Sequence, residues 1–305
     1  MTNSEIASLG SRDLDEIVRE TRRLYATADS KRLVWDLWFH TCHHVAALAK
    51  AVRNDRPEEI CNRELADSAL WLFTFVGRAS EPGLMPEAGE QPSVQTLIKV
   101  SGTLSDMLWL RYPGACPTCM AEYSERGKSQ EIRKCRCPSQ LSDEVDSADV
   151  LRERQDVLRR IGAENTTRHP ENINAWQELL AVIFHSVQLE RRKQDLGVLL
   201  AEQAGFVSDT IVRLYSYTVT KPPAKEEVRW RQVWFEFEIS RLTNLLFLMA
   251  SKGGEQLSAV IGGRYGQHSK AEMSCPYCKR TECNCEILIA PFDFSVLELR
   301  KRMVG

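Results

Sequence analysis

Eight of the chain's ten cysteines fall into two short clusters, which constrain the fold more than any other feature. The first reads Cys116-Pro-Thr-Cys119 and then Cys135-Arg-Cys137. The second reads Cys275-Pro-Tyr-Cys278 and then Cys283-Asn-Cys285. A CxxC turn aims two sulfurs at one point, and a second close pair completes a tetrahedron. Four soft thiolates with no open position suit a structural zinc ion. The same CPxC…CxC grammar occurs twice, so the pattern predicts two Zn2+ sites. Spacing alone leaves an iron–sulfur cluster open, and paired disulfides would need an oxidising compartment. All four ligands come from each cluster, so no water site remains on the metal; its role is to pin a loop. Cys42 and Cys61 stand apart, in apolar helical surroundings that suit buried, inert thiols.

The remaining composition narrows the partners. Among 305 residues, 40 are basic and 42 acidic, for a formal net charge of -2. A near-neutral total gives no electrostatic case for a nucleic-acid partner or a membrane surface. The N-terminal stretch MTNSEIASLGSRDLDE has no apolar signal core. Apolar runs such as 245–250 are too short to span a bilayer. The expectation is a cytoplasmic protein with reduced thiols.

The clusters also mark a repeat. Leu104-Ser105 followed by Arg111-Tyr112 precedes the first; Leu257-Ser258 followed by Arg264-Tyr265 precedes the second, at the same internal spacing. Further upstream, Trp35 with His44 is matched by Trp176 with His185. Repeats of this length are duplicated domains and not solenoid units. The polar stretch 139–149 is the natural boundary, giving units 1–140 and 141–305. Helical periodicity dominates both. It predicts helices over 12–26, 33–52, 65–76 and 94–110, then over 150–161, 175–215, 226–250 and 255–261. The sequence Lys221-Pro222-Pro223-Ala224 breaks the second set. A short strand over 286–289 is the one competing pattern. The fold class is all-α: two tandem helical bundles, each ending in a four-cysteine loop.

Candidate chemistry sits on the first unit. Glu64 and Asp67, in Glu64-Leu65-Ala66-Asp67, are three apart and share a helix face. Two carboxylates so placed can share a magnesium ion, although solvated helix faces carry this spacing routinely. With Trp71-Leu72 following, and with His43-His44-Val45-Ala46-Ala47-Leu48 upstream, the segment resembles the MazG-like all-α nucleotide pyrophosphohydrolases. In that family an ExxE motif on one helix and an ExxD motif on the next hold magnesium ions. The ions activate water to split a nucleoside triphosphate into monophosphate and pyrophosphate. The resemblance covers about the first four helices of each unit. It implies a tandem MazG-like fold, a nucleotide ligand and sites built between helical bundles, in a fusion or a homodimer.

The departures from the motif decide what to expect. His44 and Ala47 stand where the first unit should carry its ExxE glutamates, and His185 and Gln188 stand there in the second. The second unit reads Glu238-Ile239-Ser240-Arg241, and an arginine repels a metal ion. His40 and His44, four apart, could join Glu64 and Asp67 in a mixed nitrogen–oxygen site that favours Mn2+ or Zn2+ over Mg2+. Alternatively they are packed histidines beside Trp35, Trp38 and Phe39. No Gly-rich phosphate loop, GxSxG or HExxH competes. The expected function is a non-catalytic nucleotide-binding or protein-interaction module with structural zinc. The alternative is a divergent metal-dependent pyrophosphohydrolase using His40, His44, Glu64 and Asp67. On either reading, elemental analysis of the purified chain should find about two zinc ions per molecule; a count well below two contradicts the closed sites.

Overall fold

Apolar residues at helical spacing, with local stop signals between them, produce a chain of helices. The computed structural model describes residues 9–29, 34–81, 98–118, 120, 148–185, 190–219, 225–267, 270–283 and 285. The helices are α1 (Leu14–Asp29), α2 (Val34–Arg53), α3 (Glu58–Ala79), α4 (Leu104–Arg111), α5 (Ala148–Glu164), α6 (Ile173–Ile183), α7 (Lys193–Val219), α8 (Lys225–Lys252) and α9 (Leu257–Tyr265). A two-stranded antiparallel hairpin, β1 (Gly266–Gln267) and β2 (Lys270–Met273), follows α9. The expected all-α class holds; the hairpin is the addition. The proposed strand at 286–289 lies outside the described residues, as does the proposed boundary at 140/141.

Local chemistry sets the ends. Helix α2 closes at Asp55 (φ 47), where the Arg56 N–H reaches back to the Ala51 carbonyl at 3.0 Å. Pro57 then starts α3, with Glu58 and Glu59 at the positive end of its dipole. Helix α8 closes in the same way at Gly254 (φ 77), where the Glu255 N–H meets the Ala250 carbonyl at 3.0 Å. Such left-handed closures satisfy the last carbonyls. Thr103 and Asp106 form a reciprocal capping box at α4.

Two expected helices differ from their periodicity within the described residues. In the run 94–110, residues 98–103 pass over the end of α3, where the Val100 N–H bonds the Ala79 carbonyl, and the capping box then starts α4 at Leu104. In the run 175–215, α6 ends at Ile183 and α7 starts at Lys193. Asp195 accepts from the Arg192 backbone N–H at 3.0 Å, an N-terminal cap inside an otherwise continuous apolar pattern.

Packing makes two helical hairpins, α2–α3 and α7–α8, joined along α2 and α7. Trp38 Nε1 donates to Ser208 Oγ at 2.9 Å across that seam, and Phe75 meets Phe235 edge-on. One continuous apolar core, including Trp38, Trp71 and Trp176, runs through both hairpins. Helix α1 lies so close on α3 that a Cβ at Gly77 would sit 2.4 Å from Arg22 Cγ. Helix α6 packs on α8 as α1 packs on α3. Trp176 lies on α6 and His185 follows it, whereas Trp35 and His44 lie on α2, the partner of α3; the helix that pairs with α8 is α7.

The short helices cross over. Helix α4 rests on α8, and α9 rests on α3. Each is also capped from the side: Asp15 of α1 accepts from the Ser105 N–H at 3.0 Å, and Gln177 of α6 accepts from the Leu257 N–H at 2.7 Å. Gln177 is buried, and its amide also donates to the Glu255 carbonyl and Ser251 Oγ. Gln177→Ala should lower stability by about 1–3 kcal/mol in denaturant titration, because it strands a buried helix-start N–H; an unchanged midpoint would contradict this role.

Candidate functional site

The second cysteine cluster is assembled by a turn, a tether and two helices. Cys275-Pro-Tyr-Cys278 folds so that the Lys279 N–H bonds the Cys275 carbonyl at 2.9 Å, with Lys279 at φ 59. The Cys283 N–H then bonds the Leu24 carbonyl of α1 at 2.7 Å. The four sulfurs of Cys275, Cys278, Cys283 and Cys285 all lie within 4.8 Å of one another. Cys275 Sγ is 3.4 Å from Cys283 Sγ and 3.9 Å from Cys285 Sγ. A tetrahedron with zinc–sulfur bonds of about 2.3 Å needs sulfur separations of about 3.8 Å. All four cysteines are free, and the separations far exceed a disulfide bond. The cluster can therefore hold a metal ion such as zinc. The thiols titrate against one another. Burial tends to raise Cys278, but the Arg280 N–H and the neighbouring thiols outweigh it and bring it to about 7. Burial and Cys278 push Cys285 up to about 11.

Of the first cluster, Cys119, Cys135 and Cys137 lie outside the described residues. Cys116 is buried and shows the same turn. The Met120 N–H bonds the Cys116 carbonyl at 2.9 Å, Met120 has φ 58, and the Thr118 N–H points at Cys116 Sγ at 3.4 Å.

A second cluster lies where α2, α3 and α9 meet. Of the four residues singled out from sequence, the structure brings together His44, Glu64 and Asp67, whose ligand atoms lie within 4.8 Å. His44 Nδ1 is 3.1 Å from Glu64 Oε2 and 4.0 Å from Asp67 Oδ2. His40 is not among them. It is buried and stacked on Trp71, with ring centroids 4.5 Å apart, so it belongs to the aromatic core. The two histidines share a helix face, but one turn separates core from site.

Glu64 Oε1 accepts from Arg63 Nη2 at 2.7 Å. Its hydrogen bond to His44, with Arg63 adding to it, holds the Glu64 carboxyl at about 2 against the opposing effect of burial. Asp67 is 3% exposed, and its charge is met from the far end of the chain. Arg264 approaches with Nε 3.2 Å from Oδ1 and Nη2 3.3 Å from Oδ2, and the Tyr265 hydroxyl donates to Oδ1. Tyr25 hydrogen-bonds Tyr265 in turn. Burial, with the Asp67 charge among the lesser causes, raises Tyr265 well above the usual phenol range, so it stays a donor. Arg264, Tyr265 and Tyr25 are site residues that sequence reasoning did not assign. The available signal was the Arg-Tyr pair that precedes each cysteine cluster.

Polar side chains also meet around α8. Gln203 of α7 donates through Nε2 to the Glu238 carboxylate, and Arg241 Nη1 lies 3.9 Å from Glu238 Oε2. Arg111 of α4 stacks on Phe237, 3.1 Å from its ring centroid. His185 follows α6, and Gln188 lies outside the described residues. No helix among the described residues is long and apolar enough to cross a membrane.

Compared with protein-family models, curated proteins and solved structures, the chain matches none.

The Glu64 environment has a pH consequence. Its folded pKa, about 2, lies below the ordinary 4.5, so the folded state binds this proton less tightly than the unfolded chain does. The stabilisation is complete above about 4.5 and is lost as pH falls towards about 2. Carboxyl NMR titration should find Glu64 well below the ordinary range in the native chain and shifted upward in His44→Ala; an unmoved value would show that His44 is not the cause.

Proposed function

We propose that the chain is a degenerate tandem MazG-like protein, a non-catalytic module whose two halves are each clasped by a structural zinc ion. The observation that carries this reading is the engagement of both Asp67 oxygens by Arg264 and Tyr265. A metal-dependent hydrolase needs its carboxylates directed at an ion; here a guanidinium takes that place. The helix order supports the duplication. Helices α1, α2, α3 and α4 have counterparts in α6, α7, α8 and α9, with Gln203–Glu238 standing where His44–Glu64 stands. The shared turn at Cys116 and Cys275 supports a metal in each loop, because both first cysteines present the same backbone geometry.

The ligand chemistry that fits a MazG-like module is a nucleotide. A groove between α5 and α8, lined by Arg152, Asp156, Arg159, Arg229 and Trp230, gathers guanidinium groups that could meet phosphates, with Arg159 paired to Asp156 at 2.6 Å and the Arg152 guanidinium over the Trp230 ring. The second reading, a divergent pyrophosphohydrolase of the first half, draws on the convergence of His44, Glu64 and Asp67. It would require Arg264 to leave.

Pyrophosphate release from a panel of nucleoside triphosphates separates the two. The module reading expects no turnover above the protein-free rate with Mg2+ or with Mn2+. Turnover that Glu64→Ala abolishes would sink it and establish the hydrolase.

A further inference from the structure

The metal loop and the acidic cluster are in contact. Helix α9 ends at Tyr265, and the hairpin β1–β2 leads directly into Cys275. Tyr277 sits inside the CPYC turn, between two of the cysteines. Its hydroxyl lies 3.4 Å from Arg264 Nη2, and the Arg264 guanidinium carbon lies 5.4 Å from its ring centroid. Tyr277 is itself 53% exposed, so little packing holds it; the turn that carries it sets its position. The loop reaches the site by a second route. Cys283 is tethered to the Leu24 carbonyl, and the next residue, Tyr25, stacks on Trp71 and hydrogen-bonds Tyr265.

Arg264 and a divalent cation compete for one place. Both would take the Asp67 oxygens, and a cation there would lie within a few ångströms of the guanidinium charge, which raises the cost of binding steeply in a partly buried setting. Whatever fixes Arg264 on Asp67 therefore keeps cations out of the His44–Glu64–Asp67 cluster.

We propose that the Cys275–Cys285 loop is a latch: with its metal in place it holds Arg264 on Asp67 through Tyr277, and on losing the metal it releases Arg264 and opens a divalent-cation site at His44, Glu64 and Asp67. The proposal rests on the reading that this loop holds zinc and the carboxylates are closed by Arg264. A metal-stapled loop loosens when its ion leaves, because the ion supplies much of its folding energy. The freed ligand set, one imidazole and two carboxylates, suits a manganese-class ion better than magnesium.

The test uses the full chain and Mn2+ as the probe, with free Mn2+ followed by electron paramagnetic resonance. Zinc content is measured in parallel. Arg264→Ala should bind Mn2+ at least about tenfold more tightly than the zinc-loaded native chain, a coupling of the usual size between linked sites. Tyr277→Phe removes the hydroxyl that meets Arg264 but keeps the ring of a half-exposed residue, so it should leave the fold intact and fall between them. Native chain stripped of zinc by a chelator should gain a Mn2+ site that Asp67→Asn removes and that restored zinc closes. If Arg264→Ala binds tightly while zinc removal and Tyr277→Phe change nothing, the latch is wrong and the competition between Arg264 and cations stands. If Arg264→Ala folds and binds no better than native, the competition is wrong and the latch falls with it. A purified chain without zinc in this loop would overturn the structural-metal reading itself.

Discussion

Asp67 is a carboxylate buried in the middle of a long apolar helix, and the fold is arranged around neutralising it. A charge in that position is costly unless it is paired and hydrogen-bonded. His44 of its own hairpin stands 4.0 Å away; the closer partners are Arg264 and Tyr265, almost two hundred positions later. The last helix must therefore return to the first hairpin. Once α9 lies on α3, the chain that follows it is delivered to α1, where the Leu24 carbonyl tethers the cysteine loop. One electrostatic requirement thus fixes the crossing of α9, the site of the metal loop and the enclosure of the acidic cluster.

The two hairpins solve the same problem with different residues. Around α3, the acid pair is Glu64 and Asp67, and the arginine is imported from α9. Around α8, Glu238 and Arg241 sit three apart, with Arg241 Nη1 3.9 Å from Glu238 Oε2. If the halves are duplicates, Arg241 stands where the first has Asp67 and Arg111 is the counterpart of Arg264. Arg111 lies on the face of Phe237, a favourable place for a guanidinium. On the duplication reading, the substitution at 241 removes the acidic pocket altogether, whereas the first half keeps its acids and covers them.

What was legible in the sequence follows from the range of each interaction. The cysteine ligands could be read because a CPxC turn is a local object, and its geometry at Cys275 and Cys116 depends on residues within four positions. Glu64 and Asp67 could be paired because three residues is nearly one helical turn. His40 could not be separated from His44 by spacing: the turn that carries His40 is covered by Trp71, and that depends on how α2 rolls against α3. The start of α7 was hidden because both flanks keep an apolar rhythm, and the Asp195 cap that marks it is a single polar residue. Matching Trp35 with Trp176 followed residue type, whereas packing groups Trp176 with the helix that caps α9, the role α1 plays for α4. Arg264 and Tyr265 were visible as a repeated pair but not as a site, because their partner is distant in sequence.

The charge balance of the cluster bears directly on what chemistry it can support. Glu64 and Asp67 bring two negative charges, and Arg63 and Arg264 bring two positive ones within hydrogen-bonding distance. The cluster is close to neutral before any ligand arrives. A divalent ion added to it would leave an excess positive charge in a partly buried place, unless an arginine moved away or an anion came with the ion. Arg63 is half exposed and can swing into water at little cost. Arg264 is held by Asp67 on one side and Tyr277 on the other, so its release is coupled to the loop. Affinity for a cation at this site is therefore set less by the three ligands than by how firmly the chain holds its own arginine.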